Sequence, residues 1–318
     1  MEKRFLGKTD MQVGVIGFGG SQIGYEQVSE ETVSELLHNA LDSGLNVIDT
    51  AECYPNSEEL IGKAVSSRRN EFYLFTKCGH SDEDQFYDWD PKWLEKSVDR
   101  SLSRLGTDYL DVLQLHGCSE EILQRGEVIQ KIQEIQATGK VRYIGYSGDG
   151  EQAKYAMKME CFDTLQLTIN IADQAAIDNI MPLAQEHQLG VIVKRSLANA
   201  AWMKLGEHVK HFDRQLNMWK RMGKNIESLT KPAKVTYDER LQKMNYSFCR
   251  DNSDALEYAL RFVLSIPGVH TALIGTTKPT RWIDNYNIAK KGKITAEEYK
   301  YIREIWEEKS EKDWIAVP

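Results

Sequence analysis

The amino-acid sequence predicts a (β/α)8 barrel, or TIM barrel, that forms a single domain over residues 1–318. Short apolar runs alternate with amphipathic stretches along the chain, a pattern typical of parallel strands joined by crossover helices. Most of the run ends are spaced by about 30 residues, as expected for a barrel of about 250 residues. A hydrophobic content of 41% is sufficient for one large core. The predicted strands end at Gly17, Asp49, Lys77, His116, Ser147, Asn170, Arg195 and Gly275.

The first residues of the chain predict a small hairpin ahead of the barrel. The stretches 4–6 and 11–13 have the character of short strands, and they bracket a Gly-Lys-Thr-Asp turn at 7–10. The next apolar stretch, Val13 to Ile16, predicts the first barrel strand. The hairpin is therefore expected to precede that strand directly.

Glycines at 17, 19 and 20 follow this strand and allow a tight turn or a close approach of the backbone to a ligand. A similar pattern forms the dinucleotide-binding turn of doubly wound sheets, where it opens a helix directly. Here the next helical pattern begins only near Ser29. The barrel is therefore preferred to the doubly wound fold.

Helix signals lie between the predicted strands. Asn56 and Glu59 have the spacing of a helix-capping pair. Amphipathic stretches predict helices over Pro91 to Leu105 and over Ser119 to Thr138. A capping box beginning at Thr295 predicts the start of the final helix.

The interval between Arg195 and Gly275 is too long for one strand and one helix, and it predicts an insertion between barrel strands 7 and 8. The segment at about 202–254 is polar and mixed in charge, with scattered aromatic residues. Loops on the C-terminal face of a barrel often carry function, so the insertion could form a lid. The alternative is a set of extra helices packed on the outside of the barrel.

Charge and cysteine content limit the possible partners and locations. The net charge of -8 argues against nucleic acid or an anionic membrane as a partner. The N-terminus has no apolar core of a signal peptide, and no apolar run approaches the roughly 20 residues of a membrane span. The five cysteines form no CxxC pair and no metal-like spacing, which favours reduced thiols and no metal site. We therefore expect a cytoplasmic protein with a small-molecule ligand, and its oligomeric state is left open.

Four polar residues are predicted to meet at one face of the barrel. Asp49, Lys77 and His116 end three consecutive strands, and Tyr54 lies on the loop after Asp49. The C-terminal ends of barrel strands share the face that carries the active site. Lys77, held by Asp49, is expected to lower the pKa of Tyr54, and His116 can donate a hydrogen bond. Together they could hold a carbonyl oxygen, stabilise its developing charge and protonate it.

Each of these residues also has a purely structural interpretation. Asp49 and Lys77 could form a buried ion pair, Tyr54 could be an aromatic residue at a helix start, and His116 could be a core histidine bonded to backbone. Four polar residues at three consecutive strand ends are difficult to place in a core without loss of stability. The group as a whole therefore favours a catalytic site.

Three segments that carry these residues resemble the aldo-keto reductase superfamily. DTAECYPNSEELIG resembles the family's segment around its Asp and catalytic Tyr, and FTKCG and LQLHG resemble its Lys and His segments. The resemblance implies that Asp49, Tyr54, Lys77 and His116 form the family's catalytic tetrad. It also implies that Tyr54 is the proton donor and that a nicotinamide cofactor gives hydride to a carbonyl carbon.

The resemblance implies a set of cofactor contacts as well. Ser147 and Gln166 match residues that bind the carboxamide of the cofactor, whereas Gly148 stands where an Asn is usual. The ring-stacking Tyr of many members falls on Lys194 or Arg195. Together with the glycine turn after the first strand and the donors of the loop after the last strand, the predicted cofactor contacts are Gly19, Gly20, Ser147, Gln166, Lys194, Arg195, Gly275, Thr276, Thr277, Lys278, Arg281 and Asn285.

The loop after the last strand indicates which cofactor is used. Barrels often bind phosphate with the loops after strands 7 and 8. Arg281 resembles the residue that meets the adenosine 2′-phosphate, and Asn285 resembles the adenine contact. These residues favour NADPH over NADH, although Gly275 occupies a position that is basic in many members.

Aromatic residues near the strand ends are candidates for the walls of the substrate pocket. They are Tyr25, Phe86, Tyr87, Trp89 and Trp202. They suggest an apolar pocket but do not identify the substrate.

Three of the cysteines, Cys53, Cys78 and Cys118, are close in sequence to the tetrad. Proximity to Lys77 suggests a lowered thiol pKa and susceptibility to oxidation, whereas small buried cysteines are commonly inert.

The main functional hypothesis is an NADPH-dependent reductase of aldehydes or ketones. The alternative is a regulatory subunit that senses the cofactor within a larger complex and has little turnover. A lyase or isomerase on the same fold is disfavoured, because no metal cluster or Schiff-base arrangement accompanies Lys77.

Overall fold

The computed structural model describes residues 1–83, 85–205, 235–312 and 314. A two-stranded antiparallel hairpin, β1 (Lys3–Phe5) and β2 (Gln12–Gly14), precedes the main sheet. Eight parallel strands among the described residues then close into a barrel. They are β3 (Ile16–Gly19), β4 (Val47–Asp49), β5 (Tyr73–Cys78), β6 (Leu110–His116), β7 (Val141–Ser147), β8 (Thr164–Thr168), β9 (Gly190–Lys194) and β10 (Val269–Ile274). The hairpin and the (β/α)8 barrel are confirmed.

Helices alternate with these strands on the outside of the barrel. In the described part of the chain they are α1 (Ser21–Tyr25), α2 (Glu30–Asp42), α3 (Ser57–Val65), α4 (Pro91–Leu105), α5 (Glu120–Arg125), α6 (Glu127–Ala137), α7 (Gly150–Lys158), α8 (Ala175–Asn179), α9 (Met181–Glu186), α10 (Tyr237–Met244), α11 (Asn252–Ser265), α12 (Pro279–Lys290) and α13 (Ala296–Lys309). No helix among these residues is long and apolar enough to cross a membrane.

The predicted strand ends agree with the structure to within two residues. Asp49, His116 and Ser147 are the last residues of β4, β6 and β7. Gly17 falls two residues before the end of β3, and Asn170 falls two residues after the end of β8. The other predicted ends, Lys77, Arg195 and Gly275, each differ by one residue.

The helix predictions include both agreements and corrections. The bounds of α4 are as predicted, and Thr295 with Glu298 forms the expected capping box at the start of α13. The stretch 119–138 is divided into α5 and α6, because Gly126 adopts a φ of 78° between them. The short helix α1 opens directly after Gly20, which the sequence analysis did not predict.

The predicted cap at Asn56 is wrong in its chemistry. The helix α3 begins at the next residue, but Asn56 has a φ of 52° and its side chain makes no capping hydrogen bond. The left-handed region is one that Asn tolerates better than most residues. Asn56 therefore serves as a turn residue that leads the chain from the Tyr54 loop into α3.

The hairpin closes the N-terminal end of the barrel. Leu6, Met11 and Val13 form one buried cluster with inward-facing residues of the strands, namely Val47, Phe75, Val112, Ile192 and Leu273. The cluster fills the barrel from below, so the C-terminal end is the one available for a site. The larger core cluster lies between the strands and the outer helices.

The predicted insertion lies between β9 and β10, and part of it falls outside the described residues. A 3-10 turn at Ala198–Lys204 precedes the gap, and α10 follows it. Tyr237, Leu241 and Met244 of α10 are buried. The choice between a lid and extra helices stays a prediction.

Replacing one buried side chain of the hairpin tests how much the cluster at the N-terminal end of the barrel contributes to stability. Leu6→Ala is expected to lower the free energy of unfolding by about 2–5 kcal/mol, because it deletes buried methyl groups and leaves a cavity. Phe5→Ala is the matched control, since Phe5 is 60% exposed and its replacement should change stability by less than about 0.5 kcal/mol. Denaturant unfolding of the two variants measures both values. Equal losses of stability in the two variants would contradict the proposed role of the buried hairpin residues.

Candidate active site

Three neighbouring strands bring Asp49, Lys77 and His116 to the C-terminal mouth of the barrel. Asp49 and His116 end β4 and β6, and Lys77 is the penultimate residue of β5, which lies between them. Tyr54 lies on the loop that connects β4 to α3. The strand order of the barrel therefore places all four residues on one face.

Asp49 and Lys77 form a buried ion pair, and both residues make further hydrogen bonds. Lys77 Nζ lies 2.5 Å from Asp49 Oδ2 and donates a second hydrogen bond to the carbonyl oxygen of Thr50 at 2.7 Å. Asp49 Oδ1 accepts one hydrogen bond from Gln114 Nε2 and one from Gln166 Nε2, each at 2.9 Å. A buried charge pair is tolerated when hydrogen bonds satisfy its remaining atoms. This arrangement fixes the ammonium group of Lys77 in one position.

Tyr54 packs against the other members of the group. The Lys77 ammonium lies 5.3 Å from the centroid of the Tyr54 ring. The His116 ring approaches edge-on, with 6.0 Å between centroids, and the Tyr25 ring lies at 5.7 Å. The loop itself is held to β5, because the backbone amide of Glu52 donates a hydrogen bond to the Lys77 carbonyl oxygen.

The expected lowering of the Tyr54 pKa is wrong. Burial, followed by the negative charge of Asp49, raises the Tyr54 pKa above its ordinary value of about 10, and the charge of Arg195 acts in the opposite direction. Asp49 offsets part of the field of Lys77 at the phenol, and burial outweighs what remains. Tyr54 is therefore protonated at neutral pH, as a proton donor must be.

His116 is neutral at the same pH. Burial holds its pKa well below 6.5, and the charges of His80, Lys77, Lys194 and Arg195 lower it further. A neutral imidazole carries one N–H donor and one acceptor nitrogen. His116 Nδ1 lies 3.5 Å from Cys53 Sγ. His116 can thus donate a hydrogen bond to an oxygen without bringing a positive charge.

Three residues that support this group, Gln114, His80 and Asp88, were not predicted from the sequence. Gln114 lies two residues before His116 on β6 and bonds to Asp49. A polar residue inside the apolar run LDVLQLH, on the same strand face as His116, was a usable signal. His80 is buried, with its ring centroid 5.5 Å from that of His116, and its Nδ1 lies 3.0 Å from Asp88 Oδ2. That contact joins residues of one irregular loop, where the sequence has no periodic pattern.

Ser147 and Gln166 continue the hydrogen-bond network from the tetrad. Ser147 Oγ donates to Gln166 Oε1 at 3.1 Å, and Gln166 Nε2 donates to Asp49. A Cβ atom at Gly148 would lie 2.6 Å from the ring of Tyr146. The side chain that many members of the resembling family carry at this position would therefore require Tyr146 to move.

Lys194 and Arg195 lie at the end of β9, which is separated from β4 by β10 and β3. Lys194 Nζ lies 3.0 Å from Asp149 Oδ2, and Arg195 Nη1 donates to Thr168 Oγ1 at 3.2 Å. Burial raises the pKa of Asp149, but Lys194 and Arg195 outweigh it and hold that pKa below its usual value. Asp149, which the sequence analysis missed, is thus ionised and paired.

The remaining cofactor candidates surround the adjacent strands β3 and β10. A Cβ atom at Gly19 would lie 3.8 Å from the backbone nitrogen of Gly275, which is an ordinary van der Waals contact. Gly20 is packed tightly, because a Cβ atom on it would lie 2.8 Å from Ser57 Oγ. Gly19 and Gly275 are partly exposed at the C-terminal ends of these strands, whereas Gly20 is buried.

The loop after β10 leads into α12. Thr276 Oγ1 accepts a hydrogen bond from the backbone amide of Lys278, and Thr277 Oγ1 donates to Glu26. Arg281 is exposed in the first turn of α12, and Asn285 is buried one turn later. Residues four apart on a helix share a face. Arg281 and Asn285 can therefore contact the same ligand.

The aromatic candidates for the substrate wall are placed differently from one another. Tyr25 contacts Tyr54, and Trp89 packs on His80 with 5.6 Å between ring centroids. Phe86 packs instead against Trp93 of α4, with 5.6 Å between centroids. Trp202 is buried at the start of the insertion, and Tyr87 is 65% exposed.

For two of the three cysteines near the tetrad, the structure favours the inert alternative over a lowered thiol pKa. Burial raises the pKa of Cys78 well above its ordinary range and that of Cys118 to about 12. Both thiols lie among apolar residues of the larger core cluster. The charge of Lys77 is paired with Asp49.

Comparison with known proteins assigns this site to a family. The sequence model of the Aldo/keto reductase family matches residues 15–307. The chain belongs to the aldo/keto reductase family. It is 28% identical over 313 residues to the oxidoreductase YqkF of Bacillus subtilis, a match that covers 95% of this chain and 96% of the relative. Family members reduce carbonyl compounds, which makes this chain an oxidoreductase.

Two further relatives resemble this family member over different lengths. The NADH-specific methylglyoxal reductase of Escherichia coli is 28% identical over 217 residues, or 61% of this chain and 66% of that protein. The holo form of aldo-keto reductase AKR11C1 from Bacillus halodurans superposes with a TM-score of 0.73 at 25% identity, covering 96% of both chains. The fold is therefore shared with a solved family structure, and aldo-keto reductases generally use nicotinamide cofactors.

Removing the charge of Asp49 alone tests whether Lys77 is held as a buried cation by this ion pair. Asp49→Asn is expected to lower the free energy of unfolding by about 3–5 kcal/mol, because Lys77 then lacks its counter-charge. Denaturant unfolding measures the loss. The double variant Asp49→Asn/Lys77→Met removes both charges and keeps an acceptor for the two glutamines, so it should recover most of the stability. A single variant as stable as the wild type would show that Lys77 is not held as a buried cation.

Proposed function

We propose that this aldo/keto reductase reduces an aldehyde or ketone to an alcohol, with hydride from NADPH and a proton from Tyr54. The observation that carries the proposal is the position of a protonated phenol beside a neutral imidazole and a fixed ammonium group. Tyr54 contacts His116 and Lys77. Such a group can bind one oxygen atom, and it can stabilise negative charge there.

The residues of the tetrad have separate roles in this reaction. The bound cofactor supplies the hydride to the carbonyl carbon. Tyr54 donates its hydroxyl proton to the carbonyl oxygen, which completes the alcohol, and solvent later restores that proton. The N–H of neutral His116 orients the same oxygen by a hydrogen bond. The ammonium of Lys77, kept in place by Asp49, stabilises the tyrosinate that remains.

The donor set at the mouth fits a nicotinamide dinucleotide. Ser147 and Gln166 present hydroxyl and amide groups that suit a carboxamide. Gly19, Gly20 and Gly275 to Lys278 would hold the phosphates through backbone and hydroxyl groups. Arg281 would meet the 2′-phosphate, and Asn285 would contact the adenine. Lys194 and Arg195 would lie beside the nicotinamide.

The substrate wall and the location complete the proposal. Tyr25 and Trp89 are the aromatic candidates joined to the tetrad, directly or through His80. They support a small carbonyl compound with an apolar part. The cysteines in the described part of the chain are unbonded to one another, which suits a cytoplasmic protein.

Removing the Tyr54 hydroxyl tests the proton donor. Tyr54→Phe is expected to lower kcat/KM for aldehyde reduction by about 100-fold to 10,000-fold, the usual contribution of a general acid. The measurement is steady-state oxidation of NADPH with small aromatic and aliphatic aldehydes. Tyr25→Phe is the control, because it removes a neighbouring hydroxyl and keeps the ring, and it should change kcat/KM by only a few-fold. Equal losses in the two variants would contradict the assignment.

The same assay separates the alternative hypothesis. A regulatory subunit that senses the cofactor would bind it and turn over no aldehyde at a useful rate, whereas the proposed reductase would show turnover that depends on Tyr54.

Replacing the charged residue in the first turn of α12 tests the preference for NADPH. Arg281→Gln is expected to raise the Kd of NADPH by about tenfold, because a charge-assisted hydrogen bond to phosphate is lost. The Kd of NADH should stay the same. Lys290→Gln, at the far end of α12, is the matched control, since Lys290 is also exposed. A relative named for NADH specificity makes the comparison informative. Similar effects on both cofactors would contradict a 2′-phosphate contact.

A further inference from the structure

The charges at the barrel mouth do not balance among the described residues. Lys77 pairs with Asp49, and Lys194 pairs with Asp149. Arg195 makes no ion pair in residues 1–83, 85–205, 235–312 and 314, and its guanidinium donates to the neutral hydroxyl of Thr168. Arginine keeps its charge at any ordinary pH. Within the described part of the chain, Arg195 is therefore a positive charge at the mouth without an ion-pair partner.

The backbone holds Arg195 in this position. Its φ of 54° lies in the left-handed region, which costs free energy for a residue other than glycine. Its carbonyl oxygen accepts hydrogen bonds from Asn170 Nδ2 at 3.1 Å and from the backbone amide of Ala198 at 2.9 Å. The side chain is half-buried. A strained backbone with these anchors is typical of a ligand-contacting segment.

The charge of Arg195 acts on the reacting groups across the mouth. It opposes the rise in the Tyr54 pKa that burial and Asp49 cause. The pKa of His116 is lowered chiefly by burial and then by the charges of His80, Lys77 and Lys194. The charge of Arg195 lowers it further. The space between Arg195 and the tetrad is therefore exposed to a positive field.

A hydride donor must occupy that space. The carbonyl carbon is one bond from the oxygen that Tyr54 and His116 would hold, so a nicotinamide ring that gave its hydride there would lie beside the tetrad. The nicotinamide ring is positively charged when oxidised and neutral when reduced. A fixed positive charge nearby penalises the oxidised ring and leaves the reduced ring almost unaffected.

We propose that Arg195 makes the site discriminate between the redox states of the cofactor, so that the reduced form binds more tightly than the oxidised form. The inference rests on the proposed use of a nicotinamide cofactor. Lys194 contributes less, because Asp149 compensates its charge at 3.0 Å. The consequence is a site that favours carbonyl reduction and releases the oxidised cofactor readily.

Equilibrium binding tests the proposal without turnover. Isothermal titration calorimetry gives the Kd of NADPH and of NADP+ for the wild-type protein, and their ratio is the readout. Arg195→Gln removes the charge and is expected to lower the ratio of the oxidised to the reduced Kd by about tenfold, the effect of one partly screened charge. Arg195→Lys keeps the charge and should preserve the ratio to within about a factor of three. Arg125→Gln removes an exposed charge of α5 and should leave the ratio unchanged.

The ratio separates an electrostatic role from a structural one. The two forms share the adenosine and both phosphate groups, so a general loosening of the site would raise both Kd values together and leave the ratio unchanged. An unchanged ratio in Arg195→Gln would overturn the proposal. If the wild-type protein bound neither NADPH nor NADP+, the proposed function itself would fail, and this inference with it.

Discussion

The site depends on the buried pair of Asp49 and Lys77. Two charges in a barrel interior are costly unless each remaining atom finds a partner. Here Gln114, Gln166 and the Thr50 carbonyl oxygen supply those partners. These contacts come from β4, β5, β6 and β8, so the pair ties half of the barrel strands together at the mouth.

The neighbours of that pair, Tyr54 and His116, are both uncharged at neutral pH. Burial dominates for both neighbours. It keeps the Tyr54 phenol protonated, and together with nearby positive charges, including that of Lys77, it keeps the His116 imidazole neutral. Both groups can then donate to one oxygen atom. When negative charge develops on the phenol oxygen, Lys77 is already in place, so the stabilisation requires no reorganisation.

The sequence was sufficient for the fold because the strand signals are local. Asp49, His116 and Ser147 end apolar runs, and those runs end where the strands do. The errors concern effects that depend on three-dimensional neighbours. The pKa of Tyr54 and of Cys78 depends chiefly on burial, which spacing does not reveal. Asn56 has the composition of a cap, but the turn after Tyr54 forces it into a left-handed conformation. Gln114 was detectable as a polar residue in an apolar strand.

The departures from the usual family pattern are physically connected. Tyr146 fills the space beside Gly148, which excludes a larger side chain there. Asp149, the next residue in the sequence, forms an ion pair with Lys194. It also accepts a hydrogen bond from the Thr168 amide at 2.6 Å. The end of β7 is thereby fastened to β8 and β9 by charge rather than by an aromatic stack. Charged side chains such as Lys194 and Arg195 can be fixed in place as firmly as an aromatic ring. Unlike the ring, they add an electrostatic field, and this field distinguishes ligands that differ only in charge.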